Sequence, residues 1–249
     1  MLLSDRKKQL LAVTFWLAVW QLTAQRVGYA ILLPSPLQTV QALFRLVPTG
    51  GFWLRVGVSL FGIAQGFLLA ASLAVLLGAC ASRYDMVRIL LQPLVLLSKA
   101  TPVASFVILV LIWMPSARLP VLISFLMVFP VLYTAVLQGI RQTDPQLLEM
   151  AKVFRIPLHK RIWAIYFPSV YPYFYSACSV ALGLAWKSGI AAEVIGLPRN
   201  TVGEALYQAK VLLQTDEMFA WTAVAVLASM VVERVVLRLL ALMDRTRDE

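Results

Sequence analysis

Long apolar runs follow one another along the chain, and their polar positions lack the two-residue alternation of a half-buried β-strand. Several runs hold 18 or more largely apolar residues, which lets a helix cross a hydrocarbon core of about 30 Å. The pattern therefore predicts six transmembrane helices, over residues 9–25, 56–81, 87–113, 119–140, 173–190 and 219–240.

The second predicted span is rich in small residues. Gly57, Gly62, Gly66 and Gly78 recur along it. Because lipid gives helices no hydrophobic reason to associate, spans pack where small residues let their backbones approach. We expect this span to pack closely against its neighbours.

The first span resembles a signal peptide, with charged residues 5–8 ahead of apolar residues 10–20. Trp16 and Trp20 lie in its apolar part, and no small-x-small cleavage site follows. We therefore expect an uncleaved span.

The positive charges report the orientation. If the N-terminus is cytoplasmic, fourteen Lys and Arg residues fall on the cytoplasmic side, six fall outside, and Lys99 and Lys187 lie within spans. This asymmetry predicts a multi-pass membrane protein with both termini cytoplasmic. We expect a single transmembrane domain over residues 1–249, with core spans over about 56–240.

Composition excludes several classes of protein. Charged residues make up 14% of the chain and hydrophobic ones 61%, which leaves no room for a separate soluble domain. The Lys and Arg residues that give the net charge of +10 lie between apolar runs and not along one solvated face, which argues against nucleic-acid binding. With His159 as the only histidine, no CxxC, no GxSxG and no GxxxxGK[ST], we expect no metal site, no catalytic residues and no ATPase site. Energy must come from a partner.

The loop over residues 141–168 separates the fourth and fifth predicted spans. Thr143-Asp144-Pro145 is a typical helix start, and residues 146–154 are predicted to be helical before Pro157. Leu147, Leu148, Ala151 and Phe154 share one face of this helix. Two interpretations remain open: a helix that receives force from a soluble motor, or an amphipathic helix lying on the bilayer.

The same loop resembles a motif of a known family, the binding-protein-dependent ABC importer permeases. Their EAA motif has EAA, three residues, Gly, nine residues, then I-x-L-P, and the matching positions here are Glu149-Met150-Ala151, Arg155 and Ile165-Tyr166-Phe167-Pro168. Met150 replaces an Ala and Arg155 replaces the Gly. A left-handed residue at that position costs a non-glycine on the order of 1 kcal/mol, so we expect the turn to differ in shape from the family's.

Further matches extend the resemblance to the nitrate/sulfonate/taurine branch. They are Leu33-Pro34-Ser35-Pro36, Ser59-Leu60, Gly66, Ala185-Trp186-Lys187 and Ala192-Glu193. The resemblance implies an all-α integral membrane protein with the type I, MetI-like permease fold and a cytoplasmic coupling helix. By this resemblance the ATPase-coupling residues are Glu149, Met150, Ala151, Phe154, Arg155 and Pro168.

The resemblance also implies partners. They are two cytoplasmic ABC ATPases that bind the ATP and Mg, a second permease subunit in a homodimer or heterodimer, and an extracytoplasmic solute-binding protein. The location implied is a bacterial cytoplasmic (inner) membrane, whose lipid surrounds the spans. The function implied is a translocation pathway for a small solute, with anions such as sulfonates, nitrate or taurine as the candidate class.

Ionisable residues in spans are costly and usually face a cavity or a partner, which makes Lys99 and Lys187 pathway candidates. Lys99 and Thr101 lie in a polar interruption before Pro102. Glu193 follows Lys187 by six residues. An anion pathway is one interpretation; snorkelling of the lysines, or a Lys187–Glu193 ion pair, is the other.

Two further alternatives stay open. A secondary transporter or channel without a motor fits the hydropathy, but it leaves the 141–168 loop unexplained. Residues 200–215 have an apolar helical stripe and form either an outer or re-entrant gating helix or a plain packed helix.

Overall fold

The computed structural model describes residues 5–245, and this part of the chain is helical almost throughout. A 3₁₀ turn over Ser116–Arg118 precedes the sixth helix, and a π-helical segment over Ile162–Tyr166 joins the eighth to the ninth. The α-helices are α1 (Asp5–Val27), α2 (Pro36–Leu46), α3 (Gly50–Arg83), α4 (Asp85–Ala100), α5 (Val103–Val110), α6 (Leu119–Arg141), α7 (Pro145–Val153), α8 (Leu158–Arg161), α9 (Phe167–Gly196), α10 (Val202–Val211) and α11 (Thr215–Arg245).

The core is a bundle of α3, α6 and α9, and α6 packs along both of the others. The close approach of α3 and α6 depends on glycines, which have no side chain. A Cβ added at Gly66 would lie 2.4 Å from the carbonyl oxygen of Val121, and one at Gly78 would lie 2.8 Å from a methyl carbon of Val136. The expectation of a packing helix is confirmed at these two glycines.

Three continuous helical stretches in the described part of the chain are long and apolar enough to cross a membrane: Gly50–Arg83, Ser116–Arg141 and Leu158–Gly196. The bent pair α4 and α5 raises the number to four if it counts as one span. Helices also cover the first and last predicted spans, as α1 and α11. The all-helical membrane fold is therefore confirmed, and the count of six stays a prediction.

The third predicted span, 87–113, is wrong as a single helix. The chain bends by 107° between α4 and α5. Pro102 has no N–H to donate and disfavours helical geometry at Thr101, which is extended with ψ 127°. The polar interruption is therefore a corner.

The fifth predicted span, 173–190, is too short. Its helix α9 runs from Phe167 to Gly196, because Pro172 lies inside it without ending it. This extension brings Glu193 into the last turn of a helix that also forms the core of the bundle.

α2 was not predicted. Ser35 and Gln38 form a reciprocal capping box at its start, in which the Gln38 N–H donates to Ser35 Oγ and the Ser35 N–H donates to Gln38 Oε1. α2 packs on the start of α11, where Arg45 and Asp216 form an ion pair at 2.5 Å.

Candidate coupling segment and pathway residues

α7 begins where the sequence predicts. The Gln146 N–H donates to Asp144 Oδ1 at 2.8 Å, and Pro145 occupies the first helical position, where it has no N–H to leave unpaired. Asp144 therefore caps a helix of nine residues that lies between two long spans. The predicted helix over 146–154 is confirmed to within one residue at each end.

α7 ends in a Schellman motif. The Ile156 N–H donates to the Ala151 carbonyl at 2.9 Å, and the Arg155 N–H donates to the Lys152 carbonyl at 3.1 Å. Arg155 has φ +49°, the left-handed conformation. The expectation that replacing the motif glycine changes the turn is therefore wrong, since Arg155 adopts the conformation that a glycine would supply and two hydrogen bonds hold it there.

Only part of the predicted apolar face is covered. Ala151 is fully buried, whereas Leu147 is 41% exposed and Phe154 is 73% exposed. Glu149 and Met150 are also exposed. α7 is thus anchored at one residue and presents a carboxylate with apolar side chains at its surface.

Four non-helical residues, 154–157, follow α7, and the chain is then helical from Leu158 to the end of α9. Ile165 is buried, and the Phe167 N–H donates to the Ile162 carbonyl in the π-helical pattern. Pro168, which has no N–H of its own, lies in the first turn of α9. The second part of the motif therefore lies in the same continuous helical stretch as the core helix α9.

Lys99 and Thr101 lie at the corner between α4 and α5. Lys99 is exposed in the last turn of α4. The Thr101 hydroxyl donates to the Leu97 carbonyl at 2.7 Å, and the Thr101 N–H bonds to the same carbonyl. The threonine thereby caps the end of α4, and the lysine is the exposed charged group there.

Lys187 and Glu193 lie on different faces of α9. Six residues correspond to about 240° around a helix, so the two side chains lie on different faces. Lys187 is exposed, whereas Glu193 has no exposed surface. Glu193 Oε2 accepts from the Ser59 hydroxyl at 2.8 Å and from the Gly203 N–H at 2.9 Å, while Oε1 has no hydrogen-bond partner among the described residues. The ion-pair interpretation is not supported.

Residues 200–215 contain α10, packed against α9 and α11. Thr201 caps it by accepting from the Glu204 N–H at 3.2 Å. Val202, Ala205 and Ala209, three apolar residues of α10, are buried.

A second polar contact within the bundle was missed by sequence reasoning. The Ser179 hydroxyl of α9 donates to Glu233 Oε1 of α11 at 2.7 Å. A carboxyl group within an apolar run was the available signal, since such groups need a partner.

These features define a class: a multi-pass helical membrane protein with a short capped helix inserted between two long spans. The chain belongs to the family of binding-protein-dependent transport system inner membrane components, whose model matches residues 56–248. It is a transport permease subunit, not an enzyme.

Curated relatives fit this family. A Bacillus subtilis protein named as an aliphatic sulfonates transport permease, SsuC, is 28% identical over 216 residues, covering 86% of this chain and 78% of that protein. The taurine transport system permease protein TauC of Escherichia coli is 23% identical over 227 residues, covering 89% and 81%. The nitrate import permease protein NrtB of Synechococcus elongatus is 27% identical over 192 residues, covering 72% and 68%. The chain is therefore similar to permeases of the nitrate/sulfonate/taurine branch of ABC importers.

Proposed function

We propose that the chain pairs with a second permease subunit to form a translocation pathway, and that two cytoplasmic ATPase subunits drive it through α7. ATP and Mg bind to those ATPases. The observation that carries this proposal is α7 itself, which is capped at both ends, anchored by Ala151 and exposed at Glu149, Met150 and Phe154.

Force transmission requires a stiff element. A helix fixed by Asp144 at its start and by two hydrogen bonds at its end moves as one body, whereas a loose loop would deform under load. Because Pro168 and Ile165 lie where the segment enters α9, a displacement of α7 reaches the core helix. Glu149 and Arg155 supply opposite charges for contacts with the motor.

Retention of an ATPase on the purified permease tests the coupling proposal. We expect Glu149→Lys and Phe154→Ala each to lower the affinity for the ATPase subunit by about tenfold, as is typical of a central interface residue. Gln146→Ala, in the exposed first turn of the same helix, is the matched control and should bind normally. Normal ATPase retention and normal uptake in the Glu149 and Phe154 variants would refute the proposal and favour a helix that only lies on the bilayer.

We also propose that the solute is a small anion. The names of the relatives include sulfonates, taurine and nitrate. Lys99, beside Thr101 at the α4–α5 corner, and Lys187 on α9 are exposed cations within long apolar runs. A cation there attracts an anion strongly because the surroundings screen it poorly.

Charge replacement tests the solute class. Lys99→Gln and Lys187→Gln should raise the KM for uptake in an assembled complex by about tenfold, on the order of one lost charge-assisted hydrogen bond. Lys99→Arg and Lys187→Arg keep the charge and should retain most of the affinity. Equal KM values for the Gln variants and the parent protein would exclude both lysines from anion recognition.

Cargo delivery by an extracytoplasmic solute-binding protein, and cytoplasmic termini, complete the proposal. The family's description as binding-protein-dependent supports the first, and the distribution of positive charge supports the second. Uptake by proteoliposomes that lack the binding protein and ATP would show that neither the binding protein nor the ATPases are needed, and would favour a secondary transporter.

A further inference from the structure

The end of the bundle opposite α7 is closed by a small polar network. α9 is about 45 Å long at 1.5 Å per residue, so its last turn lies far from the coupling segment. Glu193 of α9 and Ser59 of α3 meet there, and both have 0% exposure. They are joined by the Ser59 hydroxyl, which donates to Glu193 Oε2 at 2.8 Å.

The same two side chains receive the first turn of α10. The Val202 N–H donates to Ser59 Oγ at 2.9 Å, and the Gly203 N–H donates to Glu193 Oε2 at 2.9 Å. The first N–H groups of a helix have no partner within the helix, and leaving them buried and unpaired is costly. The start of α10 is therefore completed by atoms of α3 and α9.

The backbones of α9 and α10 also touch. A Cβ added at Gly203 would lie 2.2 Å from Glu193 Cβ and 2.6 Å from the Val194 nitrogen. At this separation α10 cannot slide along α9 without a clash, and it cannot lift away without exposing the network. Glu193 thus becomes accessible to solute only if α10 detaches.

Acceptance of hydrogen bonds accounts for the role of Glu193. One oxygen, Oε2, receives both donors, and Oε1 receives none from the described residues. A carboxamide oxygen offers the same acceptor without the charge. An ion pair with Lys187 would instead require the charge.

We infer that Glu193 is a positioning residue, not a pathway residue: together with Ser59 it fixes α10 to α3 and α9, and the three helices move as one body. α10 is then a fixed part of this end of the bundle and not a lid over the pathway. The movement of this unit during transport rests on the proposed function; its internal linkage does not.

Hydrogen exchange of residues 198–206 in the purified permease, held in lipid nanodiscs, tests the linkage. Glu193→Ala should speed exchange of the first-turn amides of α10 by about tenfold or more, whereas Glu193→Gln should stay close to the parent protein. Ser59→Ala should speed exchange at Val202, and Arg199→Gln, an exposed charge loss in the same loop, is the control and should change neither amide. If Glu193→Gln behaves like Glu193→Ala, or if Glu193→Ala and Ser59→Ala leave exchange unchanged, the inference is overturned. Should Glu193→Ala fail to fold, Ser59→Ala and Glu193→Gln decide.

A distance measurement tests the common movement. Spin labels replace Tyr207 on α10 and Leu76 on α3, both exposed, after Cys80 and Cys178 are substituted. In importer samples with verified ATP-dependent uptake, we expect one mean distance with and without nucleotide. A nucleotide-dependent change in that distance would show a separate lid. Hydrogen exchange is measured on the permease without its ATPases. A failure of ATPase coupling therefore leaves the exchange results unchanged, whereas a failure of the linkage changes them.

Discussion

Arg155 offers the sharpest test of the turn that ends α7, because two substitutions separate the effect of its side chain from the effect of its backbone conformation. At φ +49° the residue occupies a conformation that glycine adopts freely and other residues adopt at a cost. Arg155→Ala removes the guanidinium and keeps the backbone cost. Arg155→Gly removes both.

The difference between these two variants isolates the backbone contribution. A left-handed residue with a Cβ is destabilised by about 1–2 kcal/mol, while glycine loses about 0.4–1 kcal/mol more conformational entropy on folding. We therefore expect the glycine variant to hold the end of α7 more tightly by about 1 kcal/mol, which corresponds to about a fivefold change in local opening.

The assay is hydrogen exchange of the Ile156 amide, whose hydrogen bond to Ala151 closes the motif. Lys152, inside α7, provides a control with the opposite sign, because glycine in a helix interior is about 1 kcal/mol worse than alanine. Slower exchange is expected for Arg155→Gly than for Arg155→Ala, and faster exchange for Lys152→Gly than for Lys152→Ala. If glycine is the worse residue at both positions, the left-handed turn is refuted.

Three further substitutions test the bundle and the cap. Gly66→Ala should lower the thermal midpoint of the purified permease by several degrees, because the new Cβ meets α6 backbone, whereas Gly57→Ala meets no atom within 4 Å and should not. Ser179→Ala breaks the bond to Glu233 and should destabilise the protein in reversible denaturation by about 0.6 kcal/mol, the mean for hydrogen bonds between membrane helices, and by no more than about 1.7 kcal/mol. Asp144→Ala should cost α7 about 1 kcal/mol, measured as faster exchange of its first-turn amides; unchanged exchange would exclude the cap.

Features that depend on residues close together in the chain were predicted from the sequence. The α7 start follows from Asp144-Pro145, and α6 begins and ends within one residue of the predicted 119–140 span. Both depend on interactions between residues close in the chain, namely a cap and an apolar run. The capping box of α2, Ser35 with Gln38, carried the same kind of signal and was overlooked.

Contacts between residues distant in the chain were not predicted from the sequence. Glu193 and Ser59 are separated by 134 positions. The six-residue spacing between Lys187 and Glu193 shows that the two residues lie on different faces of a helix, but it does not show which face is buried. The 107° corner needed the sequence signal of Pro102 and the packing that holds α5 against α9. Arg155 shows the same division: its propensity argues against a left-handed turn, and the hydrogen bonds of the assembled segment produce one.

The sequence by itself determined that the chain is a helical membrane protein, that long apolar runs follow one another along it, and that a capped helix interrupts them, because hydropathy and capping are local properties. Only the tertiary structure decided which side of each helix is covered. That choice depends on which backbones approach closely enough to exclude a side chain, as at Gly66 and Gly203, and on which buried donors find an acceptor on another helix.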